Sequence, residues 1–480
     1  MPKEAWGRLQ ATFLASVGDR GPFELNSGAM VVVPSLTLPG DELKDIAGVQ
    51  FYEERLLFLL LQLAEPDAHI IFVSSSEIAP EIVDYYLDFL APDRTILKRL
   101  TLVAVGDTRP LPLTTKLLQH QETITWIRTV AQEYGNAYLL PFIVTPQEEE
   151  LAARIGIPIY GMSSGKAYLG GKSGGRHVAQ TAGVPVIKGI EDVQTATDVE
   201  TAFHQLRCAD IKRAVLKLDD SFSGLGNVIL SAKADDSGTQ VAEGLWALLP
   251  HGVVNWDDYL HRLSDRHGVV ESLLEGPLAA PSVQILVKPG HAPQVISTHD
   301  QILGGQANQI YLGCEFPANE SYRETITKCG LLIADVLAKD EVVGFFSVDF
   351  LISLSQNLLY FGEINLRLGG TTHPFGICRC LTQGVYDQDS GLLMSPLGPR
   401  YYVASDNVQE DNLIGKSAVD LLKAMGETGL LFDKNQLAGV TLHQMGSLPS
   451  SGKLGVCSIA PSREQARRSF QDTVRALRQT

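Results

Sequence analysis

Residues 345–367, FFSVDFLISLSQNLLYFGEINLR, constrain the fold more than any other stretch of the chain. Two β-rich runs flank the turn-prone Ser355-Gln356-Asn357, which predicts an antiparallel hairpin. Centring the turn on Gln356 fixes the register: Asp349 faces Glu363, Ser347 faces Asn365, Val348 faces Ile364 and Phe346 faces Leu366. Side chains alternate faces along a strand. One face then carries Phe346, Val348, Phe350, Ile352, Ile364 and Leu366, and the other carries Ser347, Asp349, Glu363, Asn365 and Arg367. Directly opposed carboxylates repel and weaken a strand pair. A hard divalent cation, held by Asp349 and Glu363 with the Asn365 amide oxygen, would offset that repulsion. Arg367, one step further along, suits a two-pronged contact to a phosphate or carboxylate. The alternative is a solvated polar face. The cation is favoured because the acidic face runs into Gly369-Gly370-Thr371-Thr372-His373-Pro374, a turn that exposes backbone, while the apolar face asks to be buried.

A chain of 480 residues predicts two or three domains, and a hydrophobic content of 45% allows large cores. The formal charge of −16 argues against nucleic acid or an anionic membrane as the main partner. It leaves room for a local positive patch around a nucleotide. The six cysteines include no CxxC pair, so reduced thiols in a cytoplasmic protein are expected. No signal peptide is read at the start, and no apolar run approaches the length of a membrane span.

Residues 30 to about 160 alternate strand-like and helical runs. MVVVPS (30–35) and residues 69–74, 102–105 and 138–144 read as strands, with helices over 50–63, 77–90 and 123–134. That order predicts an open, mainly parallel α/β sheet. With no GxGxxG, it gives no dinucleotide site. From about 165 the character changes. A helix opens at Gly170-Gly171-Lys172-Ser173-Gly174-Gly175, and strands follow at 214–218, 227–230, 269–274, 282–287 and 295–299. A helix over 320–338 precedes the hairpin. Beyond about 385 the order is less legible: a helix at 417–425, a strand at 454–459 and a terminal helix over 463–478. The expected division is an α/β domain over 1–160, an α+β domain with antiparallel sheets over 161–385, and a C-terminal segment over 386–480 packing on the second.

Gly171-Lys172-Ser173 and Gly415-Lys416-Ser417 each end like a P-loop, but the loop's first glycine would fall on Lys166 and Glu410, so neither is one. Lys217 is more informative. It sits mid-strand among apolar neighbours, where a charged amine is costly unless paired. The following SFSGLGN (221–227) holds Ser223, Gly224 and Gly226, and such a loop brings backbone N–H groups close to an anion. Together they suit a flap over a triphosphate; an edge-strand lysine beside an ordinary turn is the alternative. The strand end Glu271-Ser272-Leu273-Leu274-Glu275 could pair its backbone with an adenine edge, or be only a strand end.

Taken in order, the Lys172 helix, the Lys217 strand, SFSGLGN, VESLLEG, VDF (348–350) and GEINLRLGG (362–370) resemble the ATP-grasp superfamily of carboxylate–amine ligases. The tracts HDQILGGQANQIYLGCEFPA (299–318) and GVTLHQMGSLPSSGKLGVCSIAPSREQA (439–466) resemble the group of the pheganomycin-type peptide ligase. The resemblance implies a pre-ATP-grasp α/β domain before the grasp. It assigns Lys172 and Lys217 to ATP phosphates, residues 271–275 to the adenine hinge, and Asp349, Glu363 and Asn365 to one or two Mg²⁺ ions. Arg367 would hold the γ-phosphate and the acyl phosphate made from it. Gln301, Gly369, Gly370, Thr371, Thr372 and His373 fall on the substrate side. His373 either helps deprotonate the amine or is structural. One departure stands out: residues 278–282 offer no acid for the ATP ribose, which leaves Glu275 as a substitute.

The implied reaction joins amino acids or short peptides through an acyl phosphate, and it requires no nucleophilic side chain. That agrees with the absence of a GxSxG elbow. A kinase-like or non-catalytic nucleotide-binding protein on the same fold is the alternative. A homodimer is open, since no segment decides an interface.

Overall fold

The computed structural model describes every residue except 1, 2, 26, 39–42, 45, 47, 91–93, 221–225, 233–237, 250–252, 254 and 305–309. Its described strands form three sheets. In the first, strands Leu100–Ala104, Ala68–Ser74, Gly28–Val33 and Tyr138–Pro141 lie side by side in that order, all parallel. Parallel sheets need cover on both faces. Here Met30, Val32, Ile70 and Phe72 enter one core, while Val31, Val33, Ile71 and Val73 enter another. The expected open α/β sheet is therefore present.

The second sheet has six strands. At its centre Arg213–Leu218 pairs antiparallel with Gly268–Ser272 on one side and Val228–Ser231 on the other. Ala214, Leu216 and Leu218 pack on helices Ala196–Cys208 and Trp256–Arg266. Period-two alternation turns Val215 and Lys217 to the opposite face, which is left to line a cleft.

The third sheet has eleven strands and contains the hairpin, Gly344–Ser353 with Leu358–Asn365. Helix Glu320–Lys339 covers one face, its Ile326, Ile333 and Leu337 meeting Val283, Ile285, Phe346, Val348 and Ile364. The same sheet continues through strand Gly398–Gln409 to Lys453–Ala460 and Gly439–His443. The twelve-residue strand Gly398–Gln409 and the strand Ile310–Phe316 were not expected from the sequence. The first carries charged residues at buried positions, Arg400 and Asp406, which hides the alternation. No described helix is long and apolar enough to cross a membrane.

A helix was expected over 50–63; Val49–Ala64 is helical but winds as a 3₁₀ helix. Buried on it in succession are Glu53, Glu54 and Arg55. Each has a partner on another element. Glu53 accepts from the Ser75 amide at 2.6 Å, Glu54 accepts from the Gly446 amide at 3.0 Å, and Arg55 pairs with Asp406. This short charged run ties the parallel sheet to the C-terminal strands, and one core runs from Val17 to Leu477.

Burial pushes both Glu53 and Glu54 up to about 7, and their hydrogen bonds offset only part of that. A carboxyl that holds its proton more tightly when folded contributes stability that is fully present below its unfolded value of 4.5 and is lost as pH rises through about 7. Glu54→Gln keeps an acceptor for Gly446 and removes the charge. We expect the variant to melt at the same temperature as the wild type near pH 5 and above it at pH 8, by the equivalent of about 1–3 kcal/mol. Thermal melts across that range check it.

Candidate active site at the seam of two cavities

The hairpin places its polar face as the sequence predicts. Ser347 pairs with Asn365, Val348 with Ile364 and Asp349 with Glu363. Beyond Asp349 the register slips by one, so that Phe350 pairs with Phe361 and Ser353 with Leu358. The extra residue is Gly362, a bulge the sequence reading did not anticipate. A side chain there would meet the Asp349 carbonyl oxygen at 2.9 Å. The bulge brings Phe361 onto the buried face beside Phe350 and leaves the two carboxylates opposed.

Their repulsion is offset by protein groups. Lys172 pairs with Glu363, and Ser282 donates to Asp349 at 2.6 Å. Asn365 donates to both carboxylates at 3.1 Å, and its own oxygen accepts from Arg367 at 2.7 Å. Burial and the facing Glu363 push Asp349 up; burial would raise Glu363 too, but Lys172 more than reverses it and holds Glu363 low. This corrects one expectation: the Asn365 amide turns its nitrogen, not its oxygen, toward the carboxylates. Among the described residues no three His, Cys, Asp or Glu side chains converge. A cation would therefore rest on two carboxylates and a reoriented amide. Such an all-oxygen set suits Mg²⁺, and an acidic pair that needs this much positive charge fits the ion.

Two cavities meet at this pair. The first, of about 590 Å³, lies between the second and third sheets and is lined by Lys172, Lys217, residues 271–276, Asp349 and Glu363. Its size and its mixture of apolar walls (Val215, Ile229, Leu278, Leu351) with a few charges are those of a ligand site. The strand Gly268–Ser272 ends here: the Leu273 amide still donates to Arg213, and Leu274 to Gly276 form the rim. Glu271 lines this cavity, with its carboxylate held by two cations. It is 4% exposed and clamped between Arg176, at 2.9 Å, and Lys217. Glu275 is exposed and reaches Arg213 at 3.2 Å. Gly226 is described and takes a positive φ of 93°, with its carbonyl accepting from Tyr259 at 2.7 Å. Ser223 and Gly224 lie outside the described residues.

The second cavity, of about 290 Å³, continues past Asp349 and Glu363 to Asn365, Arg367, Gly369, Gly370 and Thr371. Gln301 lines both cavities. Thr372 and His373 are not brought to either. They begin the buried helix Thr372–Thr382, where Thr372 accepts from the Gly369 amide and His373 lies 2.9 Å from His443. Burial, with His443 beside it, holds His373 well below an ordinary imidazole, so it is a neutral packing residue. The sequence reading missed Tyr52, Arg55, Tyr311, Asp406 and Asn407 on this cavity's far wall. The one signal available was the Glu53-Glu54-Arg55 run inside an otherwise apolar helix.

The chain is 30% identical over 441 residues to the L-propargylglycine–L-glutamate ligase of Streptantibioticus cattleyicolor, covering 88% of this chain and 89% of that protein. An IQCH-like ATP-grasp family model matches residues 251–361, and a PGM1 C-terminal domain model matches 420–472. This chain belongs to the ATP-grasp ligases. Solved structures agree on the fold. N5-carboxyaminoimidazole synthetase from Staphylococcus aureus complexed with ADP superposes with TM-score 0.53 at 14% identity, covering 94% of this chain and 98% of that one. The biotin carboxylase domain of Hydrogenobacter thermophilus 2-oxoglutarate carboxylase gives 0.57 at 13% identity, covering 92% and 88%. The ATP-grasp ligase uses ATP and forms a carbon–nitrogen bond with release of ADP.

Gly362→Ala tests the bulge. We expect the displaced Asp349 backbone to lower stability by about 1–3 kcal/mol and the turnover of this ATP-grasp ligase to fall further than stability accounts for. Melting temperature and ADP release, measured on the same preparation, separate the two effects.

Proposed function

We propose that this ATP-grasp ligase joins the carboxylate of one amino acid or short peptide to the amine of another, with the larger cavity for ATP and the smaller for the carboxylate and amine. The observation that carries the reading is that Asp349 and Glu363 stand where the cavities join, with Lys172 and Lys217 on one side and Arg367 on the other. The relative's name, which joins two L-amino acids, supports it.

In this reading Lys172 and Lys217 hold the phosphates, and residues 271–275 border the adenine. Asp349, Glu363 and Asn365 hold one or two Mg²⁺ ions. When bound, Mg²⁺ neutralises phosphate charge and orients the terminal phosphoryl group. The substrate carboxylate oxygen attacks the γ-phosphorus as the bond to the ADP oxygen breaks, giving an acyl phosphate. Arg367 is placed to stabilise charge on the transferring group, in a half-buried site where a fixed guanidinium is worth more than in water. The amine nitrogen then attacks the acyl carbon, phosphate leaves, and the amine's surplus proton passes to solvent. Catalysis rests on positioning and charge.

Incubation with ATP, Mg²⁺ and an amino-acid panel should yield ADP, phosphate and an amide in equal amounts by mass spectrometry. ADP without amide would refute the ligase chemistry. Glu363→Ala should lower turnover by about 100–1000-fold, and chelation of Mg²⁺ should abolish it while leaving the fold intact by circular dichroism.

A further inference from the structure

A third cavity, of about 630 Å³, lies apart from the catalytic groups and shares no lining residue with the other two. Helix Lys3–Ser16 forms one of its walls and is fastened to the segment that leaves the α/β domain. Trp6 Nε1 donates to the Ile157 carbonyl at 3.0 Å, and the Gln10 side-chain amide exchanges hydrogen bonds with the Ile159 backbone at 2.7 and 2.8 Å. Another wall is the end of the third sheet, where Val287 closes one strand and Val342 and Val343 lead into the strand that carries Asp349. Apolar walls around a few polar groups, at this volume, are the usual make-up of a small-molecule site.

The titratable side chains on its walls are Glu149, Lys166, Lys288, His291 and Glu341. Three of them are engaged. Glu149 accepts from the Ser164 amide at 2.7 Å and the Ser163 hydroxyl at 3.2 Å. Lys288 donates to the Asp19 carbonyl at 2.6 Å and carboxylate at 3.2 Å, and His291 lies 3.8 Å from the same carboxylate. The Lys166 ammonium and the Glu341 carboxylate have no partner among the described residues and do not pair with each other. Glu341 also occupies a costly backbone position. It follows the C-cap of helix Glu320–Lys339 with φ 60°, its amide donates to Ala338 and the next amide donates to Leu337, both at 3.0 Å. Glycine is the usual residue at that place in such a helix end, and a side chain kept there against strain points to a use for it. We propose that the cavity binds a zwitterion with an apolar body. Lys166 holds its carboxylate, Glu341 holds its ammonium, and Trp6, Leu14, Met162 and Val342 cover the apolar part. An apolar amino acid and a short apolar peptide share this chemistry. The site lies outside the ligase reading and does not depend on it.

The test titrates the full chain, without ATP, with L-leucine, with the dipeptide Leu-Leu, and with the N-acetyl and C-terminal amide forms of each, by calorimetry and tryptophan fluorescence. At least one free zwitterion should bind and change the fluorescence, and Trp6→Phe should remove that change. Whether leucine or Leu-Leu binds more tightly identifies the source. Blocking either end of the ligand should weaken binding by about 10–100-fold, and so should Lys166→Met and Glu341→Gly. Glu341→Gly relieves the left-handed backbone and should melt at or above the wild-type temperature, so its loss of binding is not misfolding. Both variants should keep the wild-type rate of ADP release, which separates this site from the catalytic cavities. Absence of binding by leucine and Leu-Leu overturns the inference. Affinity that is unchanged by the two substitutions, or by blocking the ligand's ends, overturns it as well. Absence of amide product in the ligase assay would refute the ligase reading and leave this binding standing.

Discussion

Asp349 and Glu363 face each other across two hydrogen-bonded strands, and the geometry of the site follows from how that repulsion is offset. Left alone, the pair would weaken the hairpin. Lys172 comes from a helix whose first turn is rich in glycine, and Gly174 is there because any side chain would strike the Tyr168 carbonyl at 2.0 Å. Ser282 comes from the neighbouring strand, and Asn365 and Arg367 from the hairpin itself. Every one of these compensating groups also faces a cavity. The repulsion thus gathers positive charge where the two cavities meet, which is where the proposed reading puts the phosphoryl group.

The substrate side depends on parts of the chain far apart in sequence. Arg55 and Asp406 are separated by 351 positions, and Glu54 reaches Gly446 across 392. These contacts close the smaller cavity with one wall from the parallel sheet's helix and one from the C-terminal strands, while the hairpin supplies the floor. The larger cavity uses none of them. In the proposed reading, one portion of the chain serves the nucleotide and the outlying portions shape what is joined.

The sequence made the hairpin legible because alternation and a turn signal together determine register over a short span, and Asp349, Glu363, Asn365 and Arg367 were found on that basis. The bulge was not legible: Gly362 reads as an ordinary strand glycine until the Asp349 carbonyl is placed against it. Parallel pairing of the first sheet followed from the alternation of strands and helices, whose connections leave both faces covered. His373 was placed on the substrate side because a polar residue next to a motif looks available, but burial is a tertiary property, and its ring proves to be enclosed. The Glu53-Glu54-Arg55 run marked buried charge, but nothing local names a partner such as Asp406, 351 positions away.

The arrangement around Lys217 shows how a buried cation can be both paired and ready for a ligand. Its ammonium donates to Glu271, and removing one member of a buried pair normally strands the other at a cost of about 3–5 kcal/mol. Glu271, however, has a second cation. Arg176 holds its other oxygen at 2.9 Å and is itself anchored by Glu191 at 2.7 Å and by the Ile187 carbonyl at 2.7 Å. If Lys217 turned toward a phosphate, Glu271 would remain neutralised. The cost of engaging the nucleotide would then be one hydrogen bond exchanged for another rather than an exposed buried charge. Lys172 pairs with Glu363, whose other oxygen keeps a hydrogen bond from the uncharged Asn365 amide rather than a second cation. Both lysines of the larger cavity are thus held by carboxylates that keep a second partner, which in the proposed reading lets them engage and release a phosphate over many turnovers.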